Sequence, residues 1–391
     1  MIRGLVITIF AVAGVLALTW LVLSRLPLNA HAGASGPTSR TLAPSGVEIA
    51  NPDEALTFAR YESGGRIRLL RVRRYADGEV SGADITDRLG PAGPDPVRAY
   101  AKLGYEGLAG LSGPLVTVSA DALPPPFDGV ESQIAMGVNY GDHRSETRLQ
   151  KGFLFPKNTP PGRWNQGVSA GEGLLDYELE LGFVALEALK PGERPERMGL
   201  VLASDYTDRA TLLRSINLRD ISSGQGFTQA KSKPGYMPVG AFLVIPRDLR
   251  AFYPRLELTL NVNGDPRQRA HPKDLIWDID QMLRESFARD RAAAGSMTSP
   301  PSLELPEGRI APGTIILSGT PEGVVFRPPT GRQLFLGVLE TVGLLRWGEA
   351  RRQLVEPTIR EARRARIYLQ PGDQVVMQAP RLGVIANRII P

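Results

Sequence analysis

Short apolar stretches with alternating polar residues recur along most of the chain. Residues 56–61, 67–72 and 256–262 place apolar side chains at nearly every second position, and Asn263-Gly264 follows the last of them. Period-two alternation is typical of a half-buried β-strand, and Asn-Gly between two such segments favours a hairpin. Helical spacing is confined to short segments, such as residues 97–103 and 275–287, and strands and helices do not alternate regularly. The pattern therefore predicts a β-rich α+β protein folded as a roll or barrel rather than a doubly wound sheet.

The amino terminus differs from the rest of the chain. Residues 5–23 are almost continuously apolar and uncharged, with Arg3 and Arg25 on either side. About 19 apolar residues suffice for a helix that crosses the hydrocarbon core, which favours an uncleaved transmembrane anchor. The alternative is a secretory signal cleaved near Ala30-His31-Ala32. In either interpretation we expect the remainder of the chain to be extracytoplasmic, as a membrane-anchored or a secreted protein.

Composition along the chain predicts its division into segments. Residues 1–28 form the transmembrane or signal helix, and residues 29–54, rich in Gly, Ala, Ser and Pro, form a flexible linker. Residues 55–123 form a small amino-terminal β unit that ends before a run of prolines. Residues 124–391 form the main domain, which contains an Arg-rich helical insertion at residues 324–367.

The composition also restricts the chemistry. The formal net charge of +5 is too small for a nucleic-acid-binding surface and no nucleic-acid-binding motif is present, so we expect no nucleic-acid partner. The absence of Cys excludes disulfides, thiolate zinc sites and a cysteine nucleophile. The chain has three histidines, His31, His143 and His271, which are too few for a histidine-rich metal site.

The most informative segment is the acidic sequence at residues 175–184. Its alternation predicts a strand, and period two places Glu178 and Glu180 on the same face. A second apolar strand runs directly into Asp205. Three carboxylates at strand ends form an oxygen-only ligand set that suits Mg²⁺ or Mn²⁺, and Ca²⁺ less selectively. The alternative is that Glu178 and Glu180 form the solvated face of an edge strand.

Several short blocks of residues follow one another in a characteristic order. They are Gly137-Val138-Asn139-Tyr140 with His143 and Glu146, Asp176-Tyr177-Glu178-Leu179-Glu180-Leu181, Ser204-Asp205-Tyr206-Thr207-Asp208-Arg209, Lys231-Ser232, Pro238-Val239-Gly240, Asn263-Gly264 with Gln268, Ser318-Gly319-Thr320-Pro321-Glu322-Gly323, Pro371-Gly372-Asp373, and Leu382-Gly383 with Asn387. Each block is weakly specific alone. Their number and order, over roughly residues 55–391, resemble the fumarylacetoacetate hydrolase family.

The resemblance implies a mixed β-sandwich roll, or pseudo-barrel, that usually forms a homodimer and binds Mg²⁺ or Mn²⁺. It also implies an enzyme whose substrate is a 2-oxo acid or a 1,3-dicarbonyl compound, such as an acylpyruvate. We therefore predict a metal-dependent hydrolase or lyase that cleaves a C–C bond through an enolate. Decarboxylation and isomerisation are the alternatives that the family offers.

The matched blocks imply three sets of site residues. The metal ligands would be Glu178, Glu180 and Asp205. The catalytic residues would be His143 as a base, Glu146 as its orienting partner, and Lys231 as a stabiliser of negative charge. The substrate-binding residues would be Tyr140, Arg209 and Thr320. Arg209 could instead pair with Asp208 or Asp205, and Lys231 could be a solvated loop residue.

This chain departs from the family pattern at three places. Lys233-Pro234 stands where the family commonly has Phe-Asp, Asp208 stands where it has Ala, and the insertion at residues 324–367 is unusually long. These departures leave open a membrane-tethered binding protein with weak or no catalysis, whose Arg-rich residues 346–366 contact anionic lipid or a partner. The competing interpretation is a solvated helical face, because glutamates interleave with the arginines.

Overall fold

The computed structural model describes most of the chain, namely residues 43–147, 151–217, 220–293, 302–303, 305–327 and 350–391. The apolar segment at residues 5–23 lies outside these ranges. Within them, no helix combines the length and the apolar character needed to span a membrane. The anchor and the signal peptide therefore both stay predictions.

Strands dominate the structure, as the alternation predicts. They are β1 (Ala55–Ser63), β2 (Arg66–Ala76), β3 (Glu79–Asp84), β4 (Leu115–Ser119), β5 (Ser132–Gly137), β6 (Phe153–Asn158), β7 (Gly167–Ser169), β8 (Leu175–Asp176), β9 (Leu179–Val184), β10 (Gly199–Ser204), β11 (Thr207–Asp208), β12 (Leu243–Pro246), β13 (Leu258–Val262), β14 (Asp265–Ala270), β15 (Ile315–Leu317), β16 (Gln374–Ala379) and β17 (Gly383–Ile390).

Helices are fewer, and most are short. They are α1 (Pro96–Ala109), α2 (Gly141–Thr147), α3 (Arg209–Ser215), α4 (Phe227–Lys231), α5 (Leu249–Phe252), α6 (Ile279–Ala293) and α7 (Ala350–Ala365), with 3₁₀ turns such as Pro272–Asp274 between them. The described chain forms two compact units. All the strands belong to the unit that contains Ala34–Val324 and Leu369–Pro391, and α7 belongs to the other unit.

Two large sheets and the two-stranded sheet of β8 and β11 build the larger unit. The ten-stranded sheet has the order β4-β3-β2-β1-β12-β10-β9-β15-β5-β6, and the five-stranded sheet has the order β14-β13-β16-β17-β7. The inner strands β9 and β10 are buried along their whole length, and they contact β13, β16 and β17 of the smaller sheet. Strands covered on both faces consist of continuous apolar runs. The mixed, sheet-rich α+β fold predicted from the sequence is thereby confirmed.

The amino-terminal strands are not set apart from the main sheet. Strand β1 pairs antiparallel with β12, with Phe58 opposite Leu243, so β1 to β4 continue the ten-stranded sheet. Phe58, Leu69 and Leu243 share one hydrophobic cluster. Burying each such side chain contributes about 1.5–3 kcal/mol, so this seam is part of the core. The boundary at residue 123 therefore does not separate two sheets.

Three local expectations differ from the structure. The acidic strand is interrupted, since Tyr177 and Glu178 lie between β8 and β9. The helix expected at residues 275–287 begins at Ile279, because residues 275–278 run beside Asn139 and Tyr140 as an extended segment. Helix α1 continues past the expected residues 97–103 only across a break, because Gly104 has φ +65° and interrupts the helical backbone; its first segment begins after Asp95, whose side chain accepts hydrogen bonds from two backbone N–H groups.

Candidate metal centre

Strand pairing brings the three predicted metal ligands together. Strands β9 and β10 are antiparallel with Ser204 opposite Leu179, so the end of β10 lies beside the start of β9. The backbone N–H of Asp205 donates to the carbonyl of Glu178 over 3.0 Å. Carboxylate oxygens of Glu178, Glu180 and Asp205 all lie within 4.8 Å of one another. All three residues are buried, and β9 is an inner strand, so the interpretation as a solvated edge-strand face is wrong.

Two buried lysines hold this carboxylate cluster together. Lys231, the last residue of α4, donates to Glu178 Oε2 over 2.6 Å and to Asp205 Oδ2 over 2.7 Å. Lys157, on β6, donates to Asp205 Oδ1 over 2.6 Å and also to the carbonyl of Tyr236. Burial by itself would lower the pKa of Lys231, but the charges of Asp205 and Glu178 raise it above its usual value. Lys231 is thus a buried ion-pair partner rather than a solvated loop residue.

Lys157 is the site residue that the sequence analysis missed. Its side chain is fully buried, which lowers its pKa despite the neighbouring carboxylate of Asp205. A signal for it was present, because Lys157 shares a strand face with the apolar residues Phe153 and Phe155. A lysine on the buried face of a strand requires a buried anionic partner.

Arg209 lies on the other side of Glu178. Its Nη2 donates to Glu178 Oε1 over 2.6 Å and its Nε donates to Asp176 Oδ2 over 2.8 Å. Burial opposes the charge on Glu178, but Lys231 and Arg209 lower the pKa of this carboxyl to about 2. Arg209 is therefore a partner of buried carboxylates, which is one of the two roles predicted from the sequence. Its partners, however, are Asp176 and Glu178. Its contact with a substrate stays a prediction.

Glu180 is the exception within the cluster. Its Oε2 accepts a hydrogen bond from the Gly319 N–H over 2.8 Å, whereas its buried Oε1 has no hydrogen-bond partner among the residues that the structure describes. Burial, together with the charges of Asp205 and Glu178, raises the pKa of Glu180 well above its usual range. An unpartnered buried carboxylate oxygen is costly. A divalent cation beside Glu180 would satisfy it, so the donor set fits a hard cation such as Mg²⁺ or Mn²⁺.

The predicted base and its partner lie on the short helix α2. His143 Nδ1 is 3.1 Å from Glu146 Oε2, and Glu146 Oε1 accepts a hydrogen bond from the Gly323 N–H over 3.2 Å. Gly323 has φ +99°, and a Cβ there would lie 2.0 Å from the Arg267 carbonyl, so only glycine fits this turn. His143 is among the groups that lower the pKa of Glu178, after Lys231 and Arg209.

A buried amide joins three segments around the site. Asn139 donates to the carbonyls of Ser318 and Trp277 over 2.8 and 3.0 Å, and its Oδ1 accepts from the Trp277 N–H. Val138, the preceding residue, has φ +65°, which is a strained conformation for a β-branched residue. Tyr140 follows and is buried; burial and the charge of Glu180 strongly raise the pKa of its hydroxyl. The hydrogen bonds of Asn139 fix the backbone that leads into Tyr140.

Thr320 lies in the turn between Ser318 and Gly323. Its Oγ1 accepts a hydrogen bond from Gln268 Nε2 over 2.9 Å, and the same amide donates to the carbonyl of Pro321. Gln268 Oε1 accepts from the Leu179 N–H at the start of β9. Gln268 therefore fixes the Thr320 turn to the strand that carries Glu180.

The order of these elements matches a known family model. The carboxy-terminal domain of fumarylacetoacetate hydrolases matches residues 133–390, about two thirds of the chain. The chain belongs to the fumarylacetoacetate hydrolase family. The resemblance inferred from the short blocks is confirmed, and the carboxylate cluster lies inside the matched region.

Individual relatives are more distant. The 2,4-didehydro-3-deoxy-L-rhamnonate hydrolase of Sphingomonas sp. is 25% identical over 249 residues, covering 59% of this chain and 75% of that protein. An uncharacterized protein of Methanocaldococcus jannaschii is 28% identical over 199 residues, covering 49% of this chain and 72% of that protein. The fumarylacetoacetate hydrolase of Exiguobacterium antarcticum has a similar fold, with a TM-score of 0.54 at 21% identity, covering 86% of this chain and 99% of that one.

Proposed function

We propose that this protein is a divalent-metal-dependent hydrolase or lyase that cleaves a C–C bond in a 2-oxo acid or 1,3-dicarbonyl compound, such as an acylpyruvate. The observation that carries the proposal is the unpartnered Oε1 of Glu180 beside Glu178 and Asp205 in a buried cluster. Family membership supports the same chemistry, since the relative from Sphingomonas sp. is named a hydrolase.

Glu178, Glu180 and Asp205 would hold the metal ion, and Mg²⁺ or Mn²⁺ suits their oxygen ligands better than Ca²⁺, which prefers more ligands. When bound, such an ion supplies a Lewis acid that stabilises negative charge on substrate oxygens. Lys157, Lys231 and Arg209 fix the orientation of two of these carboxylates through hydrogen bonds. These hydrogen bonds would orient the carboxylates for metal binding.

His143 would remove the proton from the attacking water and return it to the carbon leaving group. Glu146 supports this role because its Oε2 lies 3.1 Å from Nδ1 and can orient the ring. Lys231, when not fully engaged by Glu178 and Asp205, would stabilise the developing oxyanion. Tyr140 and Thr320 would contact the carbonyl and carboxylate oxygens of the substrate.

Isomerisation is the alternative to cleavage, because it would use the same enolate and base. A similarly folded protein of Mycobacterium smegmatis is named 5-carboxymethyl-2-hydroxymuconate delta-isomerase, with a TM-score of 0.51 at 19% identity. Cleavage is favoured here by the placement of His143 with a dedicated acidic partner, which suits activation of a water molecule.

The test is the metal dependence of acylpyruvate cleavage by the full chain. Loss of the diketone enol absorbance gives the rate. We expect turnover to stop with a chelator and to return with Mg²⁺ or Mn²⁺, with pyruvate and a carboxylic acid as products. Turnover that persists after complete metal removal, or a product that is only a double-bond isomer, would contradict the proposed reaction.

We further propose that the apolar residues 5–23 anchor the enzyme in a membrane with the catalytic unit on the extracytoplasmic side, and that it acts as a homodimer. The length of the apolar segment supports the anchor, and the family resemblance supports the dimer. Extraction of membranes with alkaline carbonate distinguishes an anchored chain, which stays in the pellet, from a cleaved and secreted one. Light scattering of the purified protein gives the number of subunits.

A further inference from the structure

A buried tyrosine in the acidic segment contacts the turn that contains Gly323. Tyr177 directly precedes Glu178, and 3% of its surface is exposed. Its backbone N–H donates to Asp176 Oδ1 over 3.0 Å, and its hydroxyl donates to the Gly323 carbonyl over 3.0 Å. A buried tyrosine hydroxyl usually has a hydrogen-bond partner, but this partner lies 146 positions further along the chain. The bond therefore connects two distant parts of the site.

Gly323 is held at both of its peptide groups. Its N–H donates to Glu146 Oε1 over 3.2 Å, and its carbonyl accepts a hydrogen bond from the Tyr177 hydroxyl. These two groups lie on either side of the Cα, so the two bonds restrain both backbone dihedral angles of a residue whose φ is +99°. Glycine is otherwise the residue with the widest conformational freedom. Tyr177 and Glu146 together thus fix a backbone that glycine alone would leave free.

The first half of the turn has a different anchor. Gln268 Nε2 donates to Thr320 Oγ1 over 2.9 Å and to the Glu322 carbonyl over 3.2 Å. These bonds hold the half of the turn that contains Thr320, the predicted substrate contact, and they end one residue before Gly323. Loss of the Tyr177 bond should therefore displace Gly323 while Thr320 stays in place.

The Gly323 anchor extends to His143 through Glu146. Glu146 Oε1 accepts from the Gly323 N–H, and Glu146 Oε2 lies 3.1 Å from His143 Nδ1. Helix α2, which carries both residues, has seven residues, and so short a helix depends on tertiary contacts. The tautomer of a histidine is set by the hydrogen bond that one of its ring nitrogens makes. The contact with Gly323 thus bears on the orientation and the tautomer of the imidazole.

We infer from these contacts that Tyr177 is a positioning residue for His143. Its hydroxyl fixes Gly323, which in turn orients Glu146 beside the imidazole. The assignment of His143 as the base rests on the proposed function, whereas the positioning rests on the hydrogen bonds themselves. Because Tyr177 is adjacent to Glu178, this chain of hydrogen bonds also ties the base to the segment that carries the proposed metal ligands.

Tyr177→Phe tests the inference, because it removes the hydroxyl and keeps the ring. The tautomer of His143 is read from the ¹⁵N chemical shifts of its imidazole in the full chain, labelled at histidine and held in detergent above about pH 8, where a histidine of usual pKa is neutral. The chain has three histidines, so His143→Ala identifies the signal. We expect the ratio of the Nδ1–H to the Nε2–H tautomer to fall by about 3–10-fold, the equivalent of one lost hydrogen bond. Glu146→Ala should change the ratio in the same direction.

Tyr206→Phe is the matched control. Tyr206 is buried and directly follows the proposed ligand Asp205, but its hydroxyl donates to Asn387 Oδ1 over 3.2 Å. The control should leave the tautomer ratio at the wild-type value, and both variants should keep the wild-type content of bound Mg²⁺ by elemental analysis. A ratio that is unchanged in Tyr177→Phe, or changed equally by Tyr206→Phe, would overturn the inference. Loss of bound Mg²⁺ from Tyr177→Phe would assign Tyr177 to the metal centre and overturn it as well.

Turnover separates this inference from the proposed function. In Tyr177→Phe, kcat for acylpyruvate cleavage should fall by about 3–10-fold at unchanged KM, because Thr320 keeps its contact with Gln268. An equal rise in KM would show that the whole turn had moved, and would reject a role of Tyr177 directed at His143. A changed tautomer ratio without cleavage by the wild type would keep the positioning and reject C–C cleavage. Cleavage by the wild type with an equal kcat in Tyr177→Phe would keep the reaction and reject the inference.

Discussion

Two buried groups of charged residues in this protein differ in how completely their carboxylates are hydrogen-bonded. In the amino-terminal part of the large sheet, Asp84 accepts hydrogen bonds from Tyr61 and Arg68 at Oδ2 and from the backbone and hydroxyl of Thr86 at Oδ1. Every oxygen of that carboxylate has a partner. In the candidate metal centre, Glu178, Glu180 and Asp205 are similarly buried, yet Glu180 Oε1 has no partner within the described part of the chain.

The difference distinguishes a buried carboxylate that stabilises the fold from one that can bind a ligand. A carboxylate whose hydrogen bonds are all formed stabilises the fold and offers nothing to a ligand. A cluster of three carboxylates with one oxygen left over is held in place by lysine and arginine partners but remains short of positive charge. Such incomplete satisfaction in a buried carboxylate cluster suits a cation-binding site.

The largest effect is expected for Glu180→Gln. This change removes the negative charge and the one free carboxylate oxygen while keeping the shape, so the Mg²⁺ affinity should fall by at least about 100-fold, because loss even of groups that orient a ligand costs 10–100-fold. The measurement is bound metal by elemental analysis after dialysis against a fixed free Mg²⁺ concentration. Asp84→Asn is the control, and it should leave the metal content unchanged. Equal metal in Glu180→Gln and the wild type would remove Glu180 as a ligand.

The next effect is expected for His143→Ala. Removal of the base should lower kcat by about 10²–10⁴-fold, while the metal content stays the same because His143 is not a ligand. The rate of acylpyruvate cleavage tests the fall in kcat, and elemental analysis of the same preparation tests the metal content. A variant that loses metal together with activity would show that His143 supports the metal centre rather than the proton transfer.

A stability effect is expected for Asp84→Asn in the fully satisfied group. The change weakens the charge-assisted hydrogen bonds from Arg68 and Tyr61, so the free energy of unfolding should fall by about 1.5–3 kcal/mol. Denaturant unfolding at neutral pH, followed by circular dichroism, measures it. Cleavage activity in native buffer is the matching readout, and it should stay at the wild-type level.

The contribution of Asp84 to the free energy of unfolding depends on pH, and the direction of this dependence follows from its pKa. Burial by itself would raise the pKa of Asp84, but Arg68, Thr86 and Tyr61 hold it at about 2, below the usual 3.8. The folded state therefore binds the proton more weakly than the unfolded state. The stabilisation is complete above about pH 4 and is lost as the pH falls towards 2. A difference between wild type and Asp84→Asn that grew on acidification across this range would contradict the assignment.

Much of the metal centre could be predicted from the sequence, and the limits have physical causes. The sequence could identify Glu178, Glu180 and Asp205, because strand alternation and strand ends are local patterns. Lys157 was not, because its role depends on the approach of β6 to Asp205 across 48 positions of the chain. The partners of Arg209 were likewise misjudged, since Asp176 reaches it only through the pairing of β8 with β11.

The fold shows the same division between local and long-range information. Alternation predicted most strands, but it did not show that β1 joins β12, because strand order is set by the packing of distant segments. The helix expected from residue 275 starts at Ile279, since hydrogen bonds to Asn139, more than 130 residues away, hold residues 275–278 extended. Periodicity carries no information on such competition between tertiary and local interactions.

The smallest effect concerns two positions at which this chain departs from the family pattern. Asp208 and Lys233 form a salt bridge of 2.5 Å, and they flank Arg209 and Lys231, the two cations that bind Glu178. Asp208 also caps α3, and Asn preserves a cap, so Asp208→Asn removes the charge alone.

With Lys233→Met, a double-mutant cycle should give a coupling energy of about 0.5–1 kcal/mol for unfolding, because Lys233 is 41% exposed and the pair is partly screened. The same cycle, applied to the Mg²⁺ affinity, tests whether the Asp208–Lys233 pair positions the side chains of Arg209 and Lys231. Arg74→Met with Asp77→Asn is the control on a fully surface pair, for which both couplings should be near zero. Equal coupling energies for the two pairs would show that the Asp208–Lys233 bridge acts as a surface contact and does not influence the candidate metal centre. The contrast between the two buried charge groups would then depend only on how their carboxylates are hydrogen-bonded.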